Sequence, residues 1–344
     1  MPEQSANEAE SAPPHVQLIQ MGTAFWVSRI VFVAAELGLA DLLADEPKSA
    51  ADLVGDTGMH ARSLHRLMRT LASLGVLTER SDGAFALTPL GEALKTGAPG
   101  AARSSILSLA GQWAWKAWEE FPHSVETGET AMQKAWGMPI FDYFAKHPQE
   151  ASYFSEAMVG FHGEEPPAVA AAYDFSDFET IVDVGGATGN LLTTILARHP
   201  NPRGVLFDRP HVVRDAPAFI EERGLTDRLS IEAGDFFDTV PGGGDAYLLS
   251  HIIHDWSEDQ CLTILGNCRN AMKPTSALLI IEMVLPAGDA PHPGKVLDMV
   301  MLALPGGEER TEQEYGALLG KAGFRLKQVV PTASAVSVIE AVPA

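Results

Sequence analysis

The sequence predicts an α/β protein: a doubly wound parallel sheet in its C-terminal half, preceded by a mostly helical N-terminal part. Three observations lead there. From residue 178 onward, short aliphatic runs alternate with amphipathic stretches of helical length, the pattern of parallel strands joined by crossover helices. Several of those runs end on an acid or on glycines, at the strand ends where such sheets bind ligands. Before residue 175 apolar residues recur mainly at helical spacing.

The elements follow in order. Residues 15–44 read as helix, because Leu18, Met21, Phe25, Ile30, Val33 and Leu37 recur near helical spacing. The most apolar stretch, Phe25 to Leu43, contains Arg29, Glu36 and Asp41, so a buried helix is expected rather than a membrane span. Leu53, then Leu64, Leu67, Met68, Leu71 and Leu74, give two helices around a turn at Gly58. Two short apolar runs flanking 80–83 complete a helix-turn-helix with a small hairpin, a winged-helix pattern. Residues 104–175 are helical and rich in aromatics, among them Trp113, Trp118, Trp136, Tyr143 and Phe161, enough to build core and to line an apolar pocket for a flat ligand. Strands are expected at 180–184, 203–208, 229–233, 245–250 and 277–284, helices at 191–198, 211–222, 257–272 and 311–322, and a closing antiparallel edge at 325–341.

At 344 residues, the chain has room for two domains of roughly 100–200 residues each. The expected division is a tail at 1–14, a winged unit at 15–102, and a second domain at 103–344, comprising a helical segment (103–175) and the sheet (176–344). The formal net charge of −21 argues against a nucleic-acid partner, since that binding draws on Lys and Arg neutralising phosphates. It argues equally against an anionic membrane surface. The second helix of the winged unit carries His60, Arg62, His65, Arg66 and Arg69, which leaves a DNA-binding regulator open beside a dimerisation module. Cys261 and Cys268, seven apart on one expected helix, read as packing residues. The first 14 residues show no basic and apolar signal pattern, so a cytoplasmic protein is expected.

Three strand ends define a ligand site. Asp183, Gly185, Gly186 and Gly189 follow the first strand, and glycines there let the backbone turn tightly and approach a ligand. Asp208 ends the second strand, placed to take ribose hydroxyls. Asp235 and Phe236 end the third, an acid for an adenine amino group beside an aromatic for its ring. Ala187 and Asn190 stand where a dinucleotide fingerprint needs its later glycines, so a phosphate-free cofactor with ribose and adenine fits better.

Five motifs carry a resemblance: VDVGG at 182–186, FDRPHV at 207–212, GDFF at 234–237, HIIHDWS at 251–257 and PGGEERT at 305–311. Together they resemble the plant-type small-molecule O-methyltransferases, which include acetylserotonin-like and bacterial natural-product enzymes. The resemblance covers nearly the whole chain. It implies a Rossmann-like class I methyltransferase domain, a winged-helix dimerisation domain, a homodimer, S-adenosyl-L-methionine as methyl donor, no metal, and a small, aromatic, hydroxyl-bearing acceptor. It further implies His254 as general base, flanked by Glu282 and Glu309. Ala187 departs from the family's usual glycine, and Ser250 stands where many plant members have Lys. Met158, His162, Trp256 and Met301 are pocket candidates by the same resemblance. His251 is read as non-catalytic, and Asp255 as a structural or helix-capping acid.

The chemistry is consistent with those residue types. A phenol has a pKa of about 10 and is mostly neutral near pH 7, so the attacking oxygen needs a base. An imidazole with a pKa of about 6.5 can take the proton as the new bond forms, and a carboxylate fixes its orientation. Methyl transfer to carbon, nitrogen or sulfur, or a hydroxylation on the same fold, remains the alternative at this point.

Overall fold

The computed structural model of the chain describes residues 12–344, so most of the expected tail at 1–14 lies outside the described residues. Two units form. One holds the described residues up to Trp115 together with Gln149–Phe161; the other holds Lys116–Pro148 and His162–Ala344. Residues 103–115 and 149–161, expected with the second domain, therefore pack within the first unit. There Ser104 Oγ donates to Glu156 Oε2 at 2.5 Å. Gly160 sits so close to the Gly100 carbonyl that a Cβ would fall 2.4 Å from its oxygen.

In the first unit the expected helix over 15–44 is broken into Pro14–Thr23, Phe25–Glu36 and Leu39–Leu42. Gly38 ends the second piece at φ +63°, a left-handed conformation that glycine adopts without steric cost. The stretch from Phe25, expected to be a buried helix, is buried only in part: Phe32, Ala34 and Ala35 are buried, whereas Phe25, Trp26 and Val27 are exposed, as are Leu18, Ile19 and Met21 on the preceding helix. Pro14–Glu36 is long and apolar enough to cross a membrane by length and composition, with mean hydropathy 1.5. Helices Val54–Thr57 and Ala61–Ser73 follow, with Gly58 between them at φ +67°. The hairpin Leu77–Glu79 with Phe85–Leu87 pairs Leu77 opposite Leu87. Leu53, Leu64, Met68, Leu71 and Phe85 form the core of this unit.

The second unit is built on seven strands: β1 Thr180–Val184, β2 Arg203–Asp208, β3 Leu229–Ala233, β4 Ala246–Ser250, β5 Ala277–Glu282, β6 Phe324–Pro331 and β7 Ser337–Pro343. Their order across the sheet is β3-β2-β1-β4-β5-β7-β6. β1 to β5 are parallel, and β7 runs antiparallel between β5 and β6. All six residues of β5 are buried, as befits a central strand covered on both faces. The two-residue period then sorts side chains between two cores. Leu279 and Ile281 join Ile181, Leu192 and Leu206 on one face; Leu278 and Ile280 join Val182, Leu249 and Leu318 on the other. At about 1.5–3 kcal/mol per fully buried aliphatic side chain, these two layers fix the sheet. Strand order reverses between β1 and β4, and the crevice outside their C-terminal ends is where such a sheet binds ligands.

Candidate active site

β1 ends on Asp183 and Val184, and the chain then turns through Gly185 at φ +75° and Gly189 at φ +85° before helix Asn190–Arg198 begins. The turn is close-packed. A Cβ on Gly185 would lie 2.5 Å from Ile252 Cδ1, and one on Gly186 would lie 2.5 Å from the Asp183 carboxylate. Asp183 is buried, and neither carboxylate oxygen has a hydrogen-bond partner within the protein. Burial, with the nearby charge of Asp208, pushes its pKa up to about 7. Asp208, at the end of β2, accepts the Ala187 N–H at 3.0 Å and the Arg209 N–H at 2.7 Å. It remains half-exposed, with lone pairs to spare. Ala187 itself takes φ +51°. After β3, Asp235 accepts the Phe237 N–H at 2.9 Å. Phe236 approaches the Gly185 turn and lies edge-on to Trp256, with ring centroids 6.1 Å apart.

Beyond β4 the chain makes a short 3₁₀ turn, Ile253–Asp255, that presents His254. His254 is 7% exposed, and its Nδ1 meets Glu309 Oε1 at 2.7 Å. Glu282, the last residue of β5, does not touch the ring; its Oε1 accepts the His254 backbone N–H at 3.1 Å. Its Oε2 accepts the Tyr315 hydroxyl at 2.5 Å, and both side chains are fully buried. Glu309 is held in turn by its own N–H, which donates to Asp298 Oδ1 at 2.9 Å. The loop packs so tightly that a Cβ on Gly307 would lie 1.8 Å from the His254 carbonyl oxygen. Asp255 Oδ1 stands 3.7 Å from His254 Nε2. Asp255 is therefore not the helix cap: Ser257 and Gln260 form the capping box of Glu258–Ala271.

The electrostatics of His254 are a contest. Burial disfavours its charged form, but the carboxylates of Asp255, Glu309 and Glu282 outweigh that cost and push its pKa up to about 10. The imidazole is thus held as a cation beside an acid cluster. Burial in turn raises the pKa of Glu282 and of Asp255.

A family model described as an O-methyltransferase domain matches residues 118–325, and one described as an O-methyltransferase dimerisation domain matches residues 19–97. The chain belongs to the O-methyltransferase family. It is 45% identical over 337 residues to a phenazine O-methyltransferase, PhzM, of Lysobacter antibioticus, spanning 98% of each chain. The crystal structure of LaPhzM superposes with a TM-score of 0.90 at 45% identity, covering 97% of this chain and 100% of that one. NcsB1, an O-methyltransferase from neocarzinostatin biosynthesis solved with S-adenosylmethionine and 2-hydroxy-5-methyl naphthoic acid, gives 0.81 at 30% identity, covering 92% of this chain and 96% of that one.

In this O-methyltransferase, the fold gathers Asp183, Gly185, Gly186, Gly189 and Asp208 around one turn, with Phe236 beside it, and brings Glu282 from the end of β5 and Glu309 from the loop after helix Pro293–Ala303 to His254. Trp256 packs 4.8 Å from Phe237 and 6.0 Å from Phe141, centroid to centroid. Met301 is buried on helix Pro293–Ala303. Met158 is half-buried on helix Pro148–Phe161, in the first unit. His162 meets Glu165, three residues on, and His251, whose place in the cluster no local spacing in the sequence announces. Tyr315, Asp298 and Gly307 were also missed. Tyr315 and Asp298 serve through partners 33 and 11 residues away, and only the PGGEERT motif could have pointed to Gly307.

Proposed function

We propose that this O-methyltransferase transfers a methyl group from S-adenosylmethionine to a hydroxyl of a small fused-ring aromatic molecule, with His254 as general base. The observation that carries the reading is the buried His254 imidazole, gripped at Nδ1 by Glu309 at 2.7 Å, which leaves Nε2, with Asp255 Oδ1 3.7 Å away, as the nitrogen to exchange a proton. The phenazine and hydroxynaphthoic acid in the names of similar proteins support a flat, fused-ring acceptor.

The glycine turn fits the donor. Buried oxygens without partners on Asp183 suit a group that brings hydrogen-bond donors or positive charge. Asp208 would hold ribose hydroxyls with its spare lone pairs, and Asp235 with Phe236 would hold adenine. When bound, S-adenosylmethionine supplies a methyl group on a positively charged sulfur, whose charge disappears on transfer. His254 takes the acceptor's proton as the oxygen–carbon bond forms. Glu309 fixes the ring and stabilises the imidazolium. Glu282 and Gly307 set the backbone that carries it. Because His254 is readily protonated, an imidazolium paired with a phenolate is the same ionisation state, by proton count, as a neutral imidazole paired with a phenol. Both reach the same transition state.

The exposed apolar side chains Leu18, Ile19, Met21, Phe25, Trp26 and Val27, within or beside the dimerisation-domain match, support a homodimer. The chemistry is tested by a panel of hydroxylated fused-ring aromatics with labelled donor, scored by product mass. His254→Ala lowers turnover by roughly 10²–10⁴-fold while cofactor binding is spared; full activity of that variant removes the mechanism.

A further inference from the structure

His251 and His254 lie three residues apart in one segment with ring centroids 5.1 Å apart, and each has its own buried carboxylate. His254 has Glu309. His251 Nε2 meets Glu165 Oε2 at 2.6 Å, and the same oxygen takes His162 Nδ1 at 3.0 Å. Burial opposes ionisation of Glu165, but hydrogen bonds from His162 and His251 overcome it and hold the pKa at about 2. Glu165 is therefore an ionised acceptor, and both imidazole nitrogens facing it are donors.

That assignment fixes the tautomer of His251. Burial, with the like charges of His162 and His254 nearby, outweighs the pull of Glu165 and keeps this ring neutral, with a pKa of about 4. Nε2 carries the proton, so Nδ1 carries a lone pair, and that nitrogen is buried with no partner. An acceptor atom in that position lacks a donor. The backbone is also costly: His251 takes φ +53°, a left-handed conformation uncommon for a histidine and typical of strained functional positions.

We propose that His251 is a specificity-determining residue of the acceptor site: its Nδ1 accepts a hydrogen bond from a second O–H or N–H donor that the aromatic acceptor carries beside the hydroxyl to be methylated. The inference rests on the methyl-transfer reading of His254. The span between the two rings suits one aromatic ring system with two neighbouring polar groups. The substrate class is thus narrower than phenols at large: aromatics with paired donors, such as a vicinal diol or an aminophenol.

The test compares dihydroxynaphthalene having neighbouring hydroxyls with the corresponding naphthol and with the naphthol bearing a neighbouring methoxy group. The wild-type enzyme favours the diol in kcat/KM by roughly tenfold or more, the worth of one net hydrogen bond to a buried acceptor. His251→Asn, chosen because asparagine tolerates the left-handed backbone, brings the ratio to within about twofold. Equal kcat/KM for diol and naphthol in the wild type, or an unchanged ratio in the variant, overturns the proposal. Should His251→Asn fail to fold, the wild-type ratio still decides, and Glu165→Gln, which loosens the ring, lowers it. Failure of all three compounds to be methylated counts against the methyl-transfer reading instead. Stoichiometric tight binding of added zinc, lost in His162→Ala, overturns the proposal by assigning the cluster to a metal.

Discussion

Glu282 grips His254 by its backbone: its Oε1 accepts the His254 amide at 3.1 Å, while the ring belongs to Glu309 at 2.7 Å. Two acids flanking one base thus have different tasks. Glu309→Gln lowers kcat by roughly 10²–10⁴-fold and displaces the pH profile, because it removes the charge that stabilises the imidazolium. Glu282→Ala strands the Tyr315 hydroxyl and the His254 amide, and lowers unfolding stability by about 2–4 kcal/mol. Denaturant unfolding and steady-state rates on both variants check the division; identical pH profiles would refute it.

Protonation of His254 ties stability to pH. Its folded pKa of about 10 lies above the ordinary value of 6.5, so the folded state binds the proton more tightly. That stabilisation is complete below about pH 6.5 and is lost progressively as pH rises toward 10. Melting temperature of the free protein therefore falls across this window, and His254→Gln flattens the fall. Over the same window kcat/KM rises with pH as the neutral, proton-accepting form gains population. A rate that falls from pH 7 to 9 would contradict this.

Asp208 divides its carboxylate between the Ala187 and Arg209 amides and whatever enters the crevice. Asp208→Ala weakens S-adenosylmethionine binding at least tenfold, at roughly 1.5–3 kcal/mol for a charged hydrogen-bond acceptor. Calorimetric titration reads the change, and unaltered affinity would show that the ribose contact lies elsewhere.

Ala187 occupies left-handed backbone at φ +51° where the family usually has glycine. The strain is about 1–2 kcal/mol for a residue with a Cβ, partly offset by glycine's greater unfolded-state entropy. Ala187→Gly therefore stabilises the fold by about 0.5–1 kcal/mol, a difference that thermal unfolding resolves.

Gly307→Ala places a methyl 1.8 Å from the His254 carbonyl oxygen, a backbone atom with no rotamer in which to escape. The turn must move, and kcat falls at least tenfold, in keeping with the cost of small misplacements of catalytic groups. Cofactor affinity, measured in parallel, falls less than kcat, because the clash lands on the His254 carbonyl and not on the glycine turn after β1.

How much was legible in the sequence depended on the range of the interaction. Strand ends that carry Asp183, Asp208 and Asp235 are local facts: an aliphatic run followed by an acid reads directly. The capping box at Ser257 and the left-handed glycines at Gly185 and Gly189 are equally local. Glu165 is not, because its partner His251 lies 86 residues away and only the sheet brings them together. The break at Gly38 was missed because the apolar period continues through it, and the exposed faces of Phe25 and Trp26 because periodicity reports an apolar stripe without saying what covers it. The role of Glu282 was foreseen only as proximity; which atom of His254 it holds is set by the register of β5 against β4.

The contact between Gly185 and Ile252 has a longer reach than its size suggests. A Cβ at position 185 would lie 2.5 Å from the end of the Ile252 side chain, so a larger residue there displaces Ile252, two residues before His254. Substitution of Gly185 therefore disturbs the turn that carries the base as well as the turn that faces the cofactor.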